Sequence, residues 1–206
     1  MQLREGLWWP EKDRIAFDLL QYEVTFLAAA IVECDNHYVA VQAGGNCGIY
    51  PLYLSDYFTT VLTFEPERQN YGCLLKNIEN RSNILPSCAA LGDSRGLCGI
   101  EPCEYNNGAS YVTDGRDVPV VAIDELGLDA CNLIQLDVEG YEAKALTGAS
   151  QTINRCKPVI MVEDRGHGTR YKSHALIPWI EHTFGYECVN DNGTDYVLKW
   201  RQPTAS

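Results

Sequence analysis

Apolar residues recur at roughly helical spacing between residues 11 and 32, where Ile15, Leu19, Leu20, Phe26 and Leu27 mark one face. Asp35 and Asn36 then supply turn chemistry, so this stretch reads as a covering helix within a leading segment, residues 1–37. Residues 38–43 form a short apolar run ending in the turn Gly44-Gly45-Asn46-Cys47-Gly48, and residues 49–58 are long and apolar enough for a helix. A β-branched strand over 60–64 closes at Glu65-Pro66, with a helix to Asn77, and a further strand over 84–91 closes at Gly92-Asp93.

The periodicity lapses over residues 94–118, which read as an insertion of loops or a small hairpin over the active face. A strand follows at 118–123, with Asp124 as the cap of a helical turn through Leu128. A buried strand at 133–136 ends at Asp137, and a helix covers 142–154. A strand at 158–162 ends at Glu163-Asp164, a helix covers 173–184, and two terminal strands at 186–189 and 196–200 flank Asn192-Gly193.

This alternation predicts an α/β fold: a Rossmann-like, doubly wound, mostly parallel sheet with one antiparallel edge strand and helices on both faces. Residues 1–206 form one domain, with the core at 38–200 and the insertion at 94–118. Ligands of such sheets bind outside the carboxyl ends of the strands. Gln42, Glu65, Asp93, Asp137 and Glu163 stand at those ends.

Charge changes the list of partners. Sixteen basic against 28 acidic residues give a formal net charge of -12, which repels a phosphate backbone and points away from nucleic acid. The longest apolar run, residues 26–32, is far short of the roughly 20 residues that span a bilayer, and mixed charges precede it, so a cytoplasmic protein without a membrane segment is expected. Nine scattered cysteines, of which only Cys98 and Cys103 stand close together, read as buried reduced thiols, and no metal is expected.

The glycine turn alone shows only that backbone can approach a ligand closely. Glu65, about 20 residues further on at the end of the next strand, is placed to accept two hydrogen bonds from a ribose diol, so the pair points to an adenosine-containing ligand. The turn is one residue shorter than the dinucleotide fingerprint and no basic side chain flanks it, which favours a ligand without phosphate. Asp137, Glu139 and Glu142 crowd the end of a central strand around Gly140, and three neighbouring carboxylates call for cations, substrate hydroxyls or raised pKa values. His167, in the loop RGHGTR, is a candidate general base, whereas His37, His174 and His182 read as surface or helix residues. Trp8 and Trp9 beside Pro10 read as a packing anchor.

QAGGNCGIYPLYL, TFEPERQNYGCLLKN, AALGD, AIDEL, IQLDVEGYEAKALTGA and KPVIMVE, in this order from residue 41 to 163, resemble the successive motifs of the FkbM family of methyltransferases. The opening WWPEKD segment also resembles short forms carried by bacteriophages, which would place the protein in a host cytoplasm or a virion. The resemblance implies a class I fold, S-adenosyl-L-methionine as cofactor, and methylation of a hydroxyl on a sugar or other small acceptor. By the same resemblance Gln42, Gly44, Gly45, Asn46 and Gly48 would surround the methionine portion and Glu65 would hold the ribose. Gly92 and Asp93 would approach the adenine, Asp137 would lie near the methyl, and Glu139 and Glu163 would face the acceptor.

Two positions depart from the pattern, since the family usually has aspartate at Gln42 and lysine at Gln135. At the sequence level these departures suggest a lost charge beside the methionine ammonium and a less compensated Asp137 cluster. They motivate a second reading: a weakly active or inactive methyltransferase-fold subunit of a homo-oligomer or larger assembly, such as a phage particle. A third reading, a nicotinamide-dependent oxidoreductase, meets the incomplete pyrophosphate turn.

Overall fold

The computed structural model describes residues 1–103, 105–164 and 175–202, and for residues 20–23 the backbone alone. Strands β1 (Gln2–Arg4) and β2 (Leu7–Trp9) form an antiparallel hairpin ahead of the first helix, α1 (Ala16–Glu33). The helix therefore starts five residues later than its apolar spacing predicts. Asp13 sets that start, because its carboxylate accepts the backbone N–H groups of Ala16 and Phe17, two of the orphan donors of a helix terminus. The tryptophans are packing anchors: Trp9 is buried edge-on to Phe17, and Trp8 lies beneath the Lys76 ammonium.

The core alternates as predicted through β3 (Val39–Ala43), α2 (Ile49–Ser55), β4 (Thr60–Phe64), α3 (Arg68–Asn77) and β5 (Ile84–Ser87). The run at 84–91 is not one strand. It breaks after Ser87, and β6 (Ala90–Leu91) leaves the main sheet to pair with the insertion. There β7 (Gly96–Glu101) and β8 (Tyr111–Val121) build a separate three-stranded sheet, ordered β6-β8-β7, where the sequence predicts only loops or a small hairpin.

The chain continues through β9 (Leu133–Leu136), α4 (Glu142–Thr147), α5 (Ser150–Cys156), β10 (Val159–Glu163), α6 (Leu176–Phe184), β11 (Tyr186–Asp191) and β12 (Asp195–Trp200). The single helix predicted over 142–154 is two helices. Gly148 sits between them, where a Cβ would overlap the Gly92 carbonyl, and Asp124 accepts from Gln151 and Thr152 to cap α5 rather than its own turn.

The seven-stranded sheet runs β11-β12-β10-β9-β3-β4-β5 and is parallel except for β12. That reversed strand lies second from the edge instead of on it, with β11 outside. Every residue of β9 is buried, as expected of a central strand covered on both faces. One core cluster joins α1, α2 and α3 to Ala40, Val61 and Leu133; the other joins α4 to α6 to Val41, Ile134 and Ile160. Strand order reverses between β3 and β9, so a crevice opens at their carboxyl ends.

Candidate active site

At that crevice β3 delivers the glycine turn. Gly44 and Gly45 both donate to the Phe64 carbonyl, and Asp137 N donates to the Ala43 carbonyl, which ties the ends of β3, β4 and β9 together. Gly44 has φ 80°, and a Cβ there would overlap the Asp137 carbonyl oxygen, so this glycine is required by the protein's own packing. Asn46 has φ 44°, a left-handed conformation that asparagine tolerates better than most residues.

Glu65 closes the turn from β4. It is 5% exposed, and its two oxygens accept from Asn46 N (2.6 Å) and Glu67 N (2.8 Å). Burial pushes its carboxyl up from 4.5 to about 7, against the opposing pull of those two backbone N–H groups.

The acidic cluster differs in membership from the sequence reading. Glu142 is buried and folds back, accepting from Val138 N (3.0 Å) and Gly140 N (3.3 Å), and burial raises its pKa. It holds the turn that carries Glu139, whose φ of 54° is a left-handed strain of the kind stored at working sites. Glu163 takes its place: carboxylate oxygens of Asp137, Glu139 and Glu163 lie within 4.8 Å of one another. The parallel pairing of β9 and β10 brings the third one in, and no spacing along the chain shows it. His167 lies outside the described residues.

A cleft of about 830 Å³, counted out to open solvent, joins these parts. Gly44 and Asn46 line it, with Glu65 and Pro66 on one side, Ala89, Ala90 and Leu91 beyond them, and Asp137, Glu139 and Tyr141 on the other. Its upper wall is formed by Ile100, Asn106, Asn107, Gly108, Ser110 and Val112 of the insertion, the segment the sequence reads as lying over the active face, together with Ala16 and Leu19 of α1, which no local signal marks. Asn106-Asn107-Gly108 is a turn-forming run inside that insertion. Among the described residues, no lysine or arginine lines the cleft.

Several predicted contacts lie elsewhere. Asp93 is exposed and Gly92 is packed against Gly148, because β6 turns away toward β8; the cleft is lined instead by residues 89–91. Gly48 starts α2, and Gly45 packs against Thr63 and Leu74 beneath the turn. Gln42 is fully buried, does not line the cleft and accepts a hydrogen bond from the Thr63 hydroxyl. Side chains alternate along a strand, so Gln42 shares the α1–α3 side of the sheet with Ala40. Gln135 pairs with it in register and is equally buried.

A parallel sheet with a reversed penultimate strand, a glycine turn after its first core strand and an acidic residue ending the second define a class I methyltransferase fold. Residues 42–188 match the Methyltransferase FkbM domain, and the chain belongs to that family. Among solved structures it is similar to an FkbM methyltransferase from Methylobacillus flagellatus KT (21% identity, TM-score 0.54), covering 80% of this chain but 44% of that one. It is also similar to a Streptococcus mutans protein solved in complex with SAH (13%, TM-score 0.51, 87% and 94% covered). A SAM-dependent methyltransferase from Aquifex aeolicus has the same fold at 11% identity and TM-score 0.50, with 87% and 89% covered. No curated protein sequence matches the chain. Among the described residues, no helix is long and apolar enough to cross a membrane.

Proposed function

We propose that the cleft binds S-adenosylmethionine and that the protein transfers its methyl group to a hydroxyl oxygen of a sugar or other small acceptor. The observation that carries this is the meeting, at one strand-order reversal, of the glycine turn, the buried Glu65 and the Asp137–Glu139–Glu163 cluster. A wall of Pro66 and Ala89–Leu91 suits an adenine ring. When bound, S-adenosylmethionine supplies a methyl already activated by a sulfonium.

The residues then have three tasks. Glu65 accepts the ribose hydroxyls with the lone pairs that Asn46 N and Glu67 N leave open. Gly44 and Asn46 hold the methionine portion beside Asp137. The carboxylates of Asp137, Glu139 and Glu163 would orient the acceptor hydroxyl, and one of them would take its proton. Alignment supplies most of the acceleration, and a positioned base adds typically 10² to 10⁴ in rate.

Calorimetry with S-adenosylmethionine tests the reading. The wild-type protein is expected to bind, and Glu65→Ala to lose binding while remaining folded. Equal affinity in the two proteins would remove Glu65 from the site. Production of S-adenosylhomocysteine against a panel of sugars and hydroxylated metabolites then identifies the acceptor.

A further inference from the structure

Asp13 is a carboxylate with 1% exposure at the crossing of three chain segments. One oxygen accepts from Ala16 N (3.2 Å) and Asn107 N (3.2 Å); the other accepts from Phe17 N (3.1 Å) and the Trp9 indole (2.8 Å). Arg4 Nη1 stands 3.8 Å away as counter-charge. Of these bonds, only the one to Asn107 is remote in sequence, and it reaches the insertion at the point where the insertion walls the cleft.

Beyond Asn107 the contacts continue inward. The Asn107 amide donates to Asn70 Oδ1 (2.9 Å), and the Asn70 amide donates to the Asn107 carbonyl (2.9 Å). The next residue, Gly108, is wedged between helix and turn: a Cβ there would stand 3.3 Å from Ala16 Cβ and 3.5 Å from Asn46 Nδ2. The tip of the insertion is thus held against the glycine turn, by Asp13 from above and Asn70 from below.

We propose that Asp13 is a positioning residue for the cofactor cleft: its buried carboxylate clamps the insertion tip Asn106–Gly108 over Asn46 and so keeps the cleft in its binding form. This rests on the cofactor reading above. It makes the leading segment part of the site, although residues 1–41 lie outside the matched family domain. Charge-assisted hydrogen bonds in a buried setting are the strong ones, and the N-terminal end of α1 adds its own attraction for the carboxylate. Affinity for a ligand scales with the fraction of protein already competent to bind it. If loss of the clamp leaves about a tenth of the molecules competent, Kd rises about tenfold.

The test measures S-adenosylhomocysteine affinity by calorimetry in the full chain, together with ligand-dependent hydrogen exchange. In the wild type, ligand is expected to protect residues 105–110 and 13–19 together. Asp13→Ala is expected to weaken binding about tenfold and to abolish the shared protection. Should Asp13→Ala fail to fold, Asn107→Pro deletes the insertion's N–H to Asp13 together with the side-chain amide to Asn70, leaving the helix cap intact. Asn106 has an extended backbone (φ -136°, ψ 91°), outside the α region that a following proline disfavours.

Asn107→Ala keeps that N–H and loses only the side-chain contact to Asn70, so it is expected to bind more tightly than Asn107→Pro. Ile180→Ala, which opens a cavity on the far side of the sheet, is expected to lower stability without moving Kd. Unchanged affinity in Asp13→Ala, or equal affinity in the two Asn107 variants, overturns the clamp while leaving the cofactor reading standing. A wild-type protein with no affinity overturns both.

Discussion

Gln42 and Gln135 stand side by side on β3 and β9 and are buried to 0% and 1% exposure. Thr63 donates to Gln42 Oε1, which leaves Gln42 Nε2, a donor, and Gln135 Oε1, an acceptor, without a hydrogen-bond partner. The family usually carries aspartate and lysine at these two positions. Adjacent in register, such residues form a buried ion pair, and this chain replaces it with two neutral amides. Taken together, the two positions carry no net charge in either form. Gln42→Asp alone puts a carboxylate into this row with no cation, and an uncompensated buried charge costs about 3 to 5 kcal/mol. Gln135→Lys alone buries an ammonium at a comparable cost. The double variant restores the pair and should recover most of the loss, since a buried pair is roughly neutral against an isosteric replacement.

Urea unfolding of the four proteins should then give a coupling energy of several kcal/mol, against the ~0.5 kcal/mol within which independent sites add. Calorimetry should show S-adenosylmethionine affinity nearly unchanged in the variants that stay folded, because neither side chain faces the cleft. Additive stability losses would refute the pairing. Tighter cofactor binding in Gln42→Asp would refute the placement, because a charge meeting the methionine ammonium at 4 Å contributes about 1 to 4 kcal/mol.

Other outcomes follow from single contacts. Glu65 has a folded pKa of about 7 against 4.5, so its contribution to stability is fully present below about pH 4.5 and is lost as pH rises through 7, by at most ~3 kcal/mol. Unfolding free energies from pH 4 to 8 should show that decline in the wild type and lack it in Glu65→Gln. Ribose hydroxyls favour the ionised carboxylate, so cofactor affinity should rise with pH across the same window and binding should release a proton, seen by calorimetry in buffers of different ionisation enthalpy. Gly44→Ala collides with the Asp137 carbonyl and should lower stability by more than the ~1–2 kcal/mol of a left-handed backbone alone, whereas Gly193→Ala, with open space around it, should stay within that range by thermal unfolding. Glu142→Ala removes the acceptor for Val138 N and Gly140 N and should cost about 1–3 kcal/mol. A circular dichroism melt reads that loss, while Glu139→Ala at the strained turn should instead lower the methyl-transfer rate.

Local signals made most of the sheet legible. The glycine turn, the β-branched run ending at Glu65 and the apolar run ending at Asp137 each state their own element, and parallel pairing then brings their ends together. What was not legible depends on contacts remote in sequence. The helix start at Ala16 is set by a side chain that also reaches Asn107, 94 residues away. Leu91 leaves the main sheet because β8 accepts it, and β8 lies beyond residues 94–110, where the sequence pattern lapses. Glu142 leaves the acidic cluster because it caps its own turn, whereas Glu163, at the strand ends where the sequence puts it, reaches Asp137 through the pairing of β9 with β10.

The same distinction bears on the catalytic and the assembly-subunit readings. The impaired-enzyme reading requires that Gln42 and Gln135 remove charges from the site. Both side chains lie beneath the glycine turn, on the side of the sheet covered by α1 to α3, while the cleft keeps Glu65, Asp137 and Glu139 along its walls. A charge-conserving exchange in the supporting layer changes what holds β3 to β9, and leaves the chemistry above it with its carboxylates in place. The reading of a methyltransferase-fold subunit without activity thus loses the observation that motivated it. A full-length protein that binds S-adenosylmethionine with Gln42 and Gln135 intact would complete that reversal, and the Gln42→Asp/Gln135→Lys pair would show it to be a matter of stability alone.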